Sequence, residues 1–354
     1  MTFTGRTELA PGYSISRVIR GGWQLAGDHG EVAQDRVADD LAAFYDAGIT
    51  TFDCADIYTG VEAMIGDFRA RLLAQRGADA LARLRVHTKF VPDLDSLASI
   101  TAADVRRTID RSLQRLRLDR LDLVQFHWWD YAVPRHLEVA RVLVELQAEG
   151  KITLVGGTNF DAAHVAELAA AGVPLASLQV QYSLLDRRPA GALASVCARL
   201  GTQLLCYGSL AGGFLSDAWL GQPEPTGLLA NRSLVKYRLI IREFGGWALF
   251  QQLLQMLRGI ADRHGTSIAA VASRHVLDQP GVAAVIVGAR HAGHLAATLQ
   301  IGTLQLTDAD RAEIAAMLVQ AQGPSGEVYA LERDRSGPHG SIMKYHLGGT
   351  TGPG

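Results

Sequence analysis

The 354-residue chain has few cysteines and no long apolar run. Its three cysteines, Cys54, Cys197 and Cys206, form no CxxC pair and leave one unmatched, which indicates a reducing compartment and argues against a disulfide framework. The longest apolar stretches, such as residues 283–289, are too short to cross a bilayer. The N-terminal segment has no apolar core of the kind that signal peptides carry. We therefore expect a soluble cytoplasmic protein without a membrane partner.

An excess of one charge is also lacking. The chain has 34 Lys plus Arg against 36 Asp plus Glu, a formal charge of −2, so no basic surplus is available to neutralise a phosphate backbone, and we expect no nucleic-acid partner. No GxGxxG motif follows a predicted strand, which argues against a Rossmann dinucleotide site. Hydrophobic residues make up 48% of the chain, enough for a large core, and this excludes general disorder.

Short β-branched runs alternate with stretches in which apolar residues recur at helical spacing. Eight strands each followed by a helix predict an α/β fold, a closed (β/α)8 TIM barrel, as a single domain over residues 1–322. An insertion with a Gly/Pro-containing loop (211–230) follows the seventh strand. A polar tail over 323–354 is expected to pack on or near the barrel through anchors such as Tyr345 and Leu347, and its end, GGTTGPG, to be mobile. The predicted strands are 15–23, 49–55, 84–90, 121–127, 152–159, 177–183, 202–208 and 282–289.

Titratable residues lie where successive predicted strands end, and in such barrels that end carries the active site. Asp53 ends the second strand, Lys89 the third and His127 the fourth, and Tyr58 stands on the loop behind Asp53. Each alone has an ordinary structural explanation as a cap, an edge residue or packing. Together they describe a phenol whose pKa a neighbouring ammonium lowers, an aspartate that holds the ammonium, and an imidazole that donates a hydrogen bond to a carbonyl. Such an acid protonates a carbonyl oxygen while a cofactor supplies hydride.

The segments FDCADIY (52–58), HTKF (87–90) and VQFHWWD (124–130) resemble the aldo-keto reductases. That family is an eight-stranded barrel that uses NADPH and an Asp–Tyr–Lys–His tetrad, and the resemblance implies those catalytic roles for Asp53, Tyr58, Lys89 and His127. Further segments fall in the family's order over about residues 15–320: GTNF (157–160), QVQYSLLDR (179–187), CYGSLAGGFLS (206–216) and VGARHAGH (287–294).

The resemblance also implies a cofactor site. The segment from Gln279 to Thr307 contains no acidic residue, which is compatible with binding of the 2′-phosphate of NADP. At His294 and Thr298 the chain departs from residues that are common in the family, and these departures weaken the argument for strict NADP selectivity. NADP(H) is therefore the expected cofactor, with NAD(H) as the alternative. The histidines of HAGH (291–294) have no carboxylate or thiol near them in sequence, so no metal site is predicted. The expected cofactor-binding residues are Gly22, Trp23, Thr158, Asn159, Gln179, Tyr207, Gly208, Ser209, Leu210, Ala211, Gly213, Gly288, Arg290, His294 and Thr298.

Aromatic residues after the first and fourth strands predict a mostly apolar pocket. The resemblance implies Trp23, Tyr58, His127 and Trp128 as the substrate contacts. An aldehyde, a ketone or a sugar oxidised at its anomeric carbon all fit, so a carbonyl reductase and an NAD(P)-dependent sugar 1-dehydrogenase both stay open. A non-catalytic nucleotide-binding regulatory subunit is a further alternative. A glycosidase using paired carboxylates among Asp53, Asp56 and Glu62 is disfavoured, because Asp53 and Asp56 would lie on the same side of a sugar. The sequence leaves the oligomeric state open.

Overall fold

The computed structural model describes residues 2–27, 36–343 and 345. Within these residues, eight parallel strands close into a barrel in which the last strand pairs with both the first and the seventh, and the other neighbours follow chain order. The predicted (β/α)8 fold is therefore confirmed. The barrel strands are β3 (Val18–Gly21), β4 (Thr51–Asp53), β5 (Arg85–Phe90), β6 (Leu121–Phe126), β7 (Ile152–Thr158), β8 (Ser177–Gln181), β9 (Gln203–Tyr207) and β10 (Val282–Gly288).

Helices surround the barrel, and side-chain caps mark several of their starts. Thr101 and Thr307 each form a reciprocal capping box with an aspartate three residues later, and Asp161, Asn231 and Ser267 cap the helices that follow them. The helices are α1 (Val37–Asp46), α2 (Val61–Ala82), α3 (Ala102–Leu116), α4 (His136–Ala148), α5 (Ala162–Ala170), α6 (Ala192–Leu200), α7 (Arg232–Phe244), α8 (Gly246–Arg263), α9 (Ile268–Leu277), α10 (Leu295–Thr303), α11 (Asp308–Leu318) and α12 (Ala330–Arg333).

An N-terminal hairpin precedes the barrel and is missing from the sequence-based prediction. Its strands are β1 (Arg6–Ala10) and β2 (Tyr13–Ser16), which pair antiparallel. The single strand predicted over 15–23 is therefore wrong, because the chain leaves the hairpin after Ser16 and enters the barrel at Val18. The hairpin packs its apolar face against barrel residues such as Leu123 and Leu205. It closes the N-terminal end of the barrel, opposite the end where the predicted site residues lie.

The insertion after β9 adds a helix that the sequence-based prediction lacks. Tyr237, Ile240, Ile241 and Phe244 recur at helical spacing on α7 and are buried. They belong to a second apolar core, shared with α8, α9 and α11, that is separate from the main barrel core. The insertion is thus held by its own packed layer, which brings the start of α7 to the mouth of the barrel.

The described part of the tail lies against the barrel mouth. Val328, Tyr329 and Glu332 are buried, and the backbone oxygen of Tyr345 accepts a hydrogen bond from the amide of Leu94. Leu347 and the terminal GGTTGPG lie outside the described residues. In the described ranges no helix is both long enough and apolar enough to cross a bilayer.

Candidate active site

A cavity of about 960 Å³ opens at the C-terminal ends of the barrel strands. Asp53 ends β4, Lys89 lies at the end of β5 and His127 follows β6, so parallel strand order alone brings them to one rim. Tyr58 reaches the same space from the loop after β4. All four predicted catalytic residues line this one cavity.

The Asp53–Lys89 ion pair forms the floor of the site. Lys89 Nζ donates to Asp53 Oδ2 at 2.6 Å and to the backbone oxygen of Cys54 at 2.9 Å. Asp53 Oδ1 accepts from the amides of Gln125 at 2.9 Å and Gln179 at 2.7 Å. Burial alone would lower the pKa of Lys89, but the charge of Asp53, the neighbouring Tyr58 and the hydrogen bond to Asp53 together outweigh burial and raise the pKa. Lys89 is therefore a fixed ammonium, because its carboxylate partner is itself held by two amides.

Tyr58 lies beside this ammonium. Lys89 Nζ is 5.1 Å from the centre of the phenol ring, and the Trp23 ring packs against Tyr58 with centroids 5.0 Å apart. Although part of Tyr58 opens to the cavity, protein atoms surround it, and burial raises its pKa more than the charge of Lys89 lowers it. The expectation that the pKa of Tyr58 is lowered is therefore wrong for the protein without a bound cofactor. At neutral pH Tyr58 is a protonated phenol and can donate a proton.

His127 is neutral, and its hydrogen bond selects the tautomer. Burial and the nearby Arg333 charge lower its pKa to about 3. Nδ1 lies 3.2 Å from the carbonyl oxygen of Thr158, which can only accept, so Nδ1 carries the proton. Nε2 is buried and has no partner among the described residues. In this tautomer Nε2 accepts a hydrogen bond, so His127 suits a hydroxyl group better than the carbonyl that the sequence-based interpretation assigned to it.

Most of the predicted cofactor residues also line the cavity, as a band that runs from β7 across β8 and β9 to the start of α10. This band lies next to the predicted catalytic residues and continues away from them. The predicted residues in it are Thr158, Asn159, Gln179, Tyr207, Gly208, Ser209, Leu210, Gly213, Gly288, Arg290, His294 and Thr298, and Trp23, which follows β3, also lines the cavity.

Gly22 and Ala211 do not line the cavity, contrary to the prediction. The amide of Gly22 donates to the backbone oxygen of Asp53 at 2.7 Å, and a Cβ at Gly22 would lie 2.8 Å from that oxygen and from Val61. Glycine is needed there for close packing of two strand ends. Ala211 is fully buried in the second core and its amide donates to Gly208. It shapes the loop after β9 without facing the cavity.

Trp128 is also misassigned as a substrate contact. Its side chain is fully buried, and Nε1 donates to the backbone oxygens of Asp130 and Val133 at 2.9 and 3.0 Å. The next residue, Trp129, lines the cavity and packs edge-on against His127 with centroids 4.3 Å apart. Adjacent side chains point in different directions in extended chain, so only one of the two tryptophans can face the site, and the sequence does not show which one.

The corner beside the predicted catalytic residues offers amide groups and an aromatic face. Tyr207 donates from its hydroxyl to Asn159 Oδ1 at 2.9 Å, which orients the Asn159 amide with its nitrogen as a donor. Thr158 donates to the backbone oxygen of Gln179 at 3.2 Å. Asn159 holds a left-handed backbone conformation, with φ of 60°. A planar ring bearing a carboxamide suits this combination of an aromatic face with fixed amide partners.

The loop after β9 and the start of α7 form a cationic stretch of the cavity wall. A Cβ on Gly213, which has φ of 107°, would meet no protein atom within 4 Å, so the backbone there opens to the cavity. Arg232 and Lys236, which the sequence-based prediction missed, line the same stretch from α7. Among the described lining residues the carboxylate is Asp53, and Lys89 neutralises it. These residues fit a dinucleotide, because a pyrophosphate needs nearby cations and accessible backbone amides.

The far end of the band lies at β10 and α10. Arg290 and His294 line it, and Thr298 uses its hydroxyl to donate to the backbone oxygen of His294 at 2.8 Å. An acidic side chain reaches this corner from elsewhere in the chain: Asp40 of α1 accepts from the amide of Ala292 at 2.8 Å. This corner therefore does include an acidic side chain, although the segment 279–307 contains none.

The tail supplies an apolar wall of the cavity that the sequence-based prediction did not identify. Tyr329, Ile342 and Met343 line the cavity, and the Tyr329 ring packs edge-on against His127 with centroids 5.5 Å apart and lies 5.7 Å from Lys236 Nζ. Arg333 holds this segment by donating to the backbone oxygen of Asn159 at 2.7 Å. The tail therefore takes part in the site.

The tail is also held by a buried ionic cluster. Glu332 lies 3.4 Å from Arg188 and 3.5 Å from Lys236, and Arg188 also pairs with Asp186 at 2.7 Å. Burial alone would raise the pKa of Glu332, but Lys236 and Arg188 outweigh burial and lower it. Because Lys236 lines the cavity, the cluster connects the tail to the cationic stretch.

Comparison with known proteins agrees with this geometry. The sequence profile of the aldo/keto reductase family matches residues 17–319. The chain is 29% identical over 260 residues to flagellar radial spoke protein 5 of Chlamydomonas reinhardtii, covering 63% of this chain and 49% of that protein, so it spans about half of that relative. It is 25% identical over 312 residues to an NADH-specific methylglyoxal reductase of Escherichia coli, covering 84% and 93%. A glycerol dehydrogenase from Gluconobacter oxydans superposes with a TM-score of 0.72 at 25% identity, covering 88% and 94%.

The family match includes all eight barrel strands and the four residues that meet at the cavity. The predicted resemblance is therefore confirmed, and with it a nicotinamide cofactor and the conclusion that the protein is an enzyme. The chain belongs to the aldo/keto reductase family of oxidoreductases.

Proposed function

We propose that this protein is an NADP(H)-dependent reductase of aldehydes and ketones in which Tyr58 is the general acid, and the general base in the reverse direction. The observation that carries the proposal is the position of Tyr58, a protonated phenol in the same cavity as the Lys89 ammonium. A phenol in that position can give its proton to a carbonyl oxygen, and the ammonium stabilises the phenolate that remains.

Each residue of the site has a distinct task in this proposal. The nicotinamide cofactor, when bound, supplies the hydride that reaches the carbonyl carbon. Tyr58 transfers its hydroxyl proton to the carbonyl oxygen. Lys89 remains charged throughout, since Asp53 holds it at 2.6 Å and raises its pKa. His127 accepts the hydrogen bond of the alcohol as it forms, which its tautomer permits.

The substrate class follows from the wall that faces the catalytic residues. Trp23, Trp129, Tyr329 and Met343 make this wall largely aromatic and apolar. Burial of apolar surface favours a carbonyl compound with a hydrophobic substituent over a small charged acid. We therefore propose apolar aldehydes and ketones as substrates.

We further propose that the cofactor is NADP(H), with Arg290 as the partner of the adenosine 2′-phosphate. Arg290 lines the far end of the cavity, next to the first turn that leads into α10. Partial burial and the charges of His291 and Arg290 lower the pKa of His294, so His294 adds no full charge at neutral pH. NAD(H) is the alternative, and the similar Escherichia coli enzyme is NADH-specific by name.

A second candidate function is oxidation of a sugar or polyol. The observation that favours it is the acceptor nitrogen of His127, since a hydroxylated substrate provides the donor that Nε2 lacks among the described residues. The glycosidase alternative loses support, because neither Asp56 nor Glu62 lines the cavity and Glu62 instead accepts from Thr88 at 2.7 Å.

The experiment that tests the proposal is oxidation of NADPH, followed at its near-ultraviolet band, with a panel of aromatic and aliphatic aldehydes. Tyr58→Phe removes only the hydroxyl, so we expect kcat to fall about 10²–10⁴-fold while the Kd for NADPH stays within about twofold of wild type. A variant that kept most of its rate would show that another group is the acid. Flat traces for the wild-type protein with nucleotide still bound would favour the regulatory subunit.

A further inference from the structure

A cluster of potential metal ligands lies at the rim of the barrel mouth, outside the active-site cavity. It consists of His136, at the first position of α4, and His164 and Glu167 on the first two turns of α5. Each offers one ligand atom, and these atoms all lie within 4.8 Å of one another. Because α4 follows β6 and α5 follows β7, neighbouring strands of the barrel fix the two helix starts side by side.

His164 is held in the orientation and tautomer that a metal requires. Its Nδ1 donates to the carboxylate of Asp161 at 2.7 Å, and the same oxygen accepts from the His164 backbone amide at 2.9 Å. With Nδ1 protonated, Nε2 carries the free electron pair. A carboxylate bound to the second ring nitrogen is the usual support of histidine ligands in metal sites. The Tyr131 ring stacks on His164, with centroids 3.4 Å apart and an interplanar angle of 9°.

His136 and Glu167 complete the set from opposite environments. The His136 side chain is 5% exposed, and its Nε2 lies 2.9 Å from Glu167 Oε2. Its Nδ1 is buried without a partner among the described residues, so Nε2 makes the polar contact of the ring, and a bound metal ion takes the place of the proton that Nε2 donates to Glu167 and releases it. Glu167 is 46% exposed, which leaves an entry path from solvent. A buried imidazole, a positioned imidazole and an exposed carboxylate thus converge at one point.

We propose that His136, His164 and Glu167 bind a divalent transition-metal ion of the Zn²⁺ type, with water as the fourth ligand. Two imidazole nitrogens and one carboxylate oxygen form a donor set that suits Zn²⁺, and three protein ligands leave one tetrahedral position open. The ion joins the starts of α4 and α5. The ion also fixes the ring of His164, and Tyr131 stacks on this ring. The hydroxyl of Tyr131 in turn accepts a hydrogen bond from Arg333 at 2.8 Å. The site therefore supports the segment that anchors the tail.

The test uses the full-length protein without a histidine tag, stripped of metal by a chelator. Titration with Co²⁺, followed by its visible absorption bands, and with Zn²⁺, followed by calorimetry, is expected to show one saturable site per chain. His164→Gln and Glu167→Gln each remove a ligand at a solvent-accessible position and are expected to abolish the site. Asp161→Asn is expected to weaken binding about 10–100-fold, because it removes only the support of His164.

The matched control is His264→Gln. His264 pairs with Asp310 at 2.7 Å and has the same 22% side-chain exposure as His164, but no third ligand accompanies it among the described residues. Metal binding by His264→Gln is expected to equal that of the wild type, and far-UV circular dichroism confirms that each variant folds. The proposal is overturned if the wild-type protein shows no saturable binding up to about 1 mM metal, or if His164→Gln and Glu167→Gln bind like the wild type.

Discussion

Replacing Lys89 with methionine tests whether the ammonium tunes the proton donor or only neutralises a buried carboxylate. In the wild-type protein, Lys89 and Asp53 are 6% and 5% exposed and lie 2.6 Å apart. Removing one partner of such a pair leaves an uncompensated buried charge, so Lys89→Met is expected to destabilise the protein by about 3–5 kcal/mol in urea unfolding. The charge of Lys89 lowers the pKa of Tyr58, so its loss raises that pKa further and makes the phenol a weaker acid. We expect kcat at pH 7 to fall about 10²–10⁴-fold.

The double variant Asp53→Asn/Lys89→Met separates the two effects. Both charges are then absent, while an amide oxygen at position 53 still accepts from Gln125 and Gln179, so most of the lost stability is expected to return. Activity is not expected to return, because no cation remains beside Tyr58. In both variants the basic limb of the pH–rate profile shifts upward, in the direction of the raised pKa. Recovery of kcat in the double variant, or an unchanged pH profile in Lys89→Met, would refute the coupling between Lys89 and Tyr58.

Three further predictions follow from the other walls of the cavity. Trp129→Ala is expected to raise KM for bulky aldehydes about tenfold in steady-state kinetics, because it removes part of the cavity wall. Trp128→Phe is expected to leave KM unchanged and to lower the free energy of unfolding in urea by about 1–3 kcal/mol, because it removes the hydrogen bonds of the indole nitrogen. Glu332→Gln removes the carboxylate that the buried Arg188 and the half-buried Lys236 share, and is expected to cost about 3–5 kcal/mol in urea unfolding; a loss below about 1 kcal/mol would contradict the role of this cluster. Arg290→Ala is expected to reduce the preference for NADPH over NADH about 10–100-fold in kcat/KM, and an unchanged ratio would place the 2′-phosphate elsewhere.

The barrel is predictable from the sequence because each strand is a short apolar run between turn signals and the runs recur at regular spacing. Those same rules place Asp53, Lys89 and His127 at one rim, since parallel strands end on the same side. The N-terminal hairpin is missing from the prediction because only Arg17 separates β2 from β3, and no glycine or proline marks a break between the two strands. Helix α7 carries a recognisable apolar period, but the Gly/Pro-containing loop before it obscures where that period begins.

The protonation states of the site are not predictable in this way, because they depend on how much protein surrounds each group. Sequence places a lysine near a tyrosine and indicates that the phenol pKa falls, yet burial of Tyr58 has the larger effect and raises it. Likewise the tautomer of His127 follows from one contact with the carbonyl oxygen of Thr158, which belongs to the next strand. These protonation states and tautomers follow from the packing of the folded chain, and the spacing of residues in the sequence does not predict them.

The tail shows why a polar composition is a poor guide to position. Gly323 onward is polar and rich in glycine, which is typical of an exposed extension. Yet Glu332 is buried, because Arg188 of the β8–α6 connection and Lys236 of α7 surround it and compensate its charge. Arg333, the next residue, donates to the backbone oxygen of Asn159, near the proposed catalytic residue His127. The charges of the tail thus hold Tyr329 and Met343 over the cavity, so the segment least like a core in sequence forms part of the wall where the substrate is expected to bind.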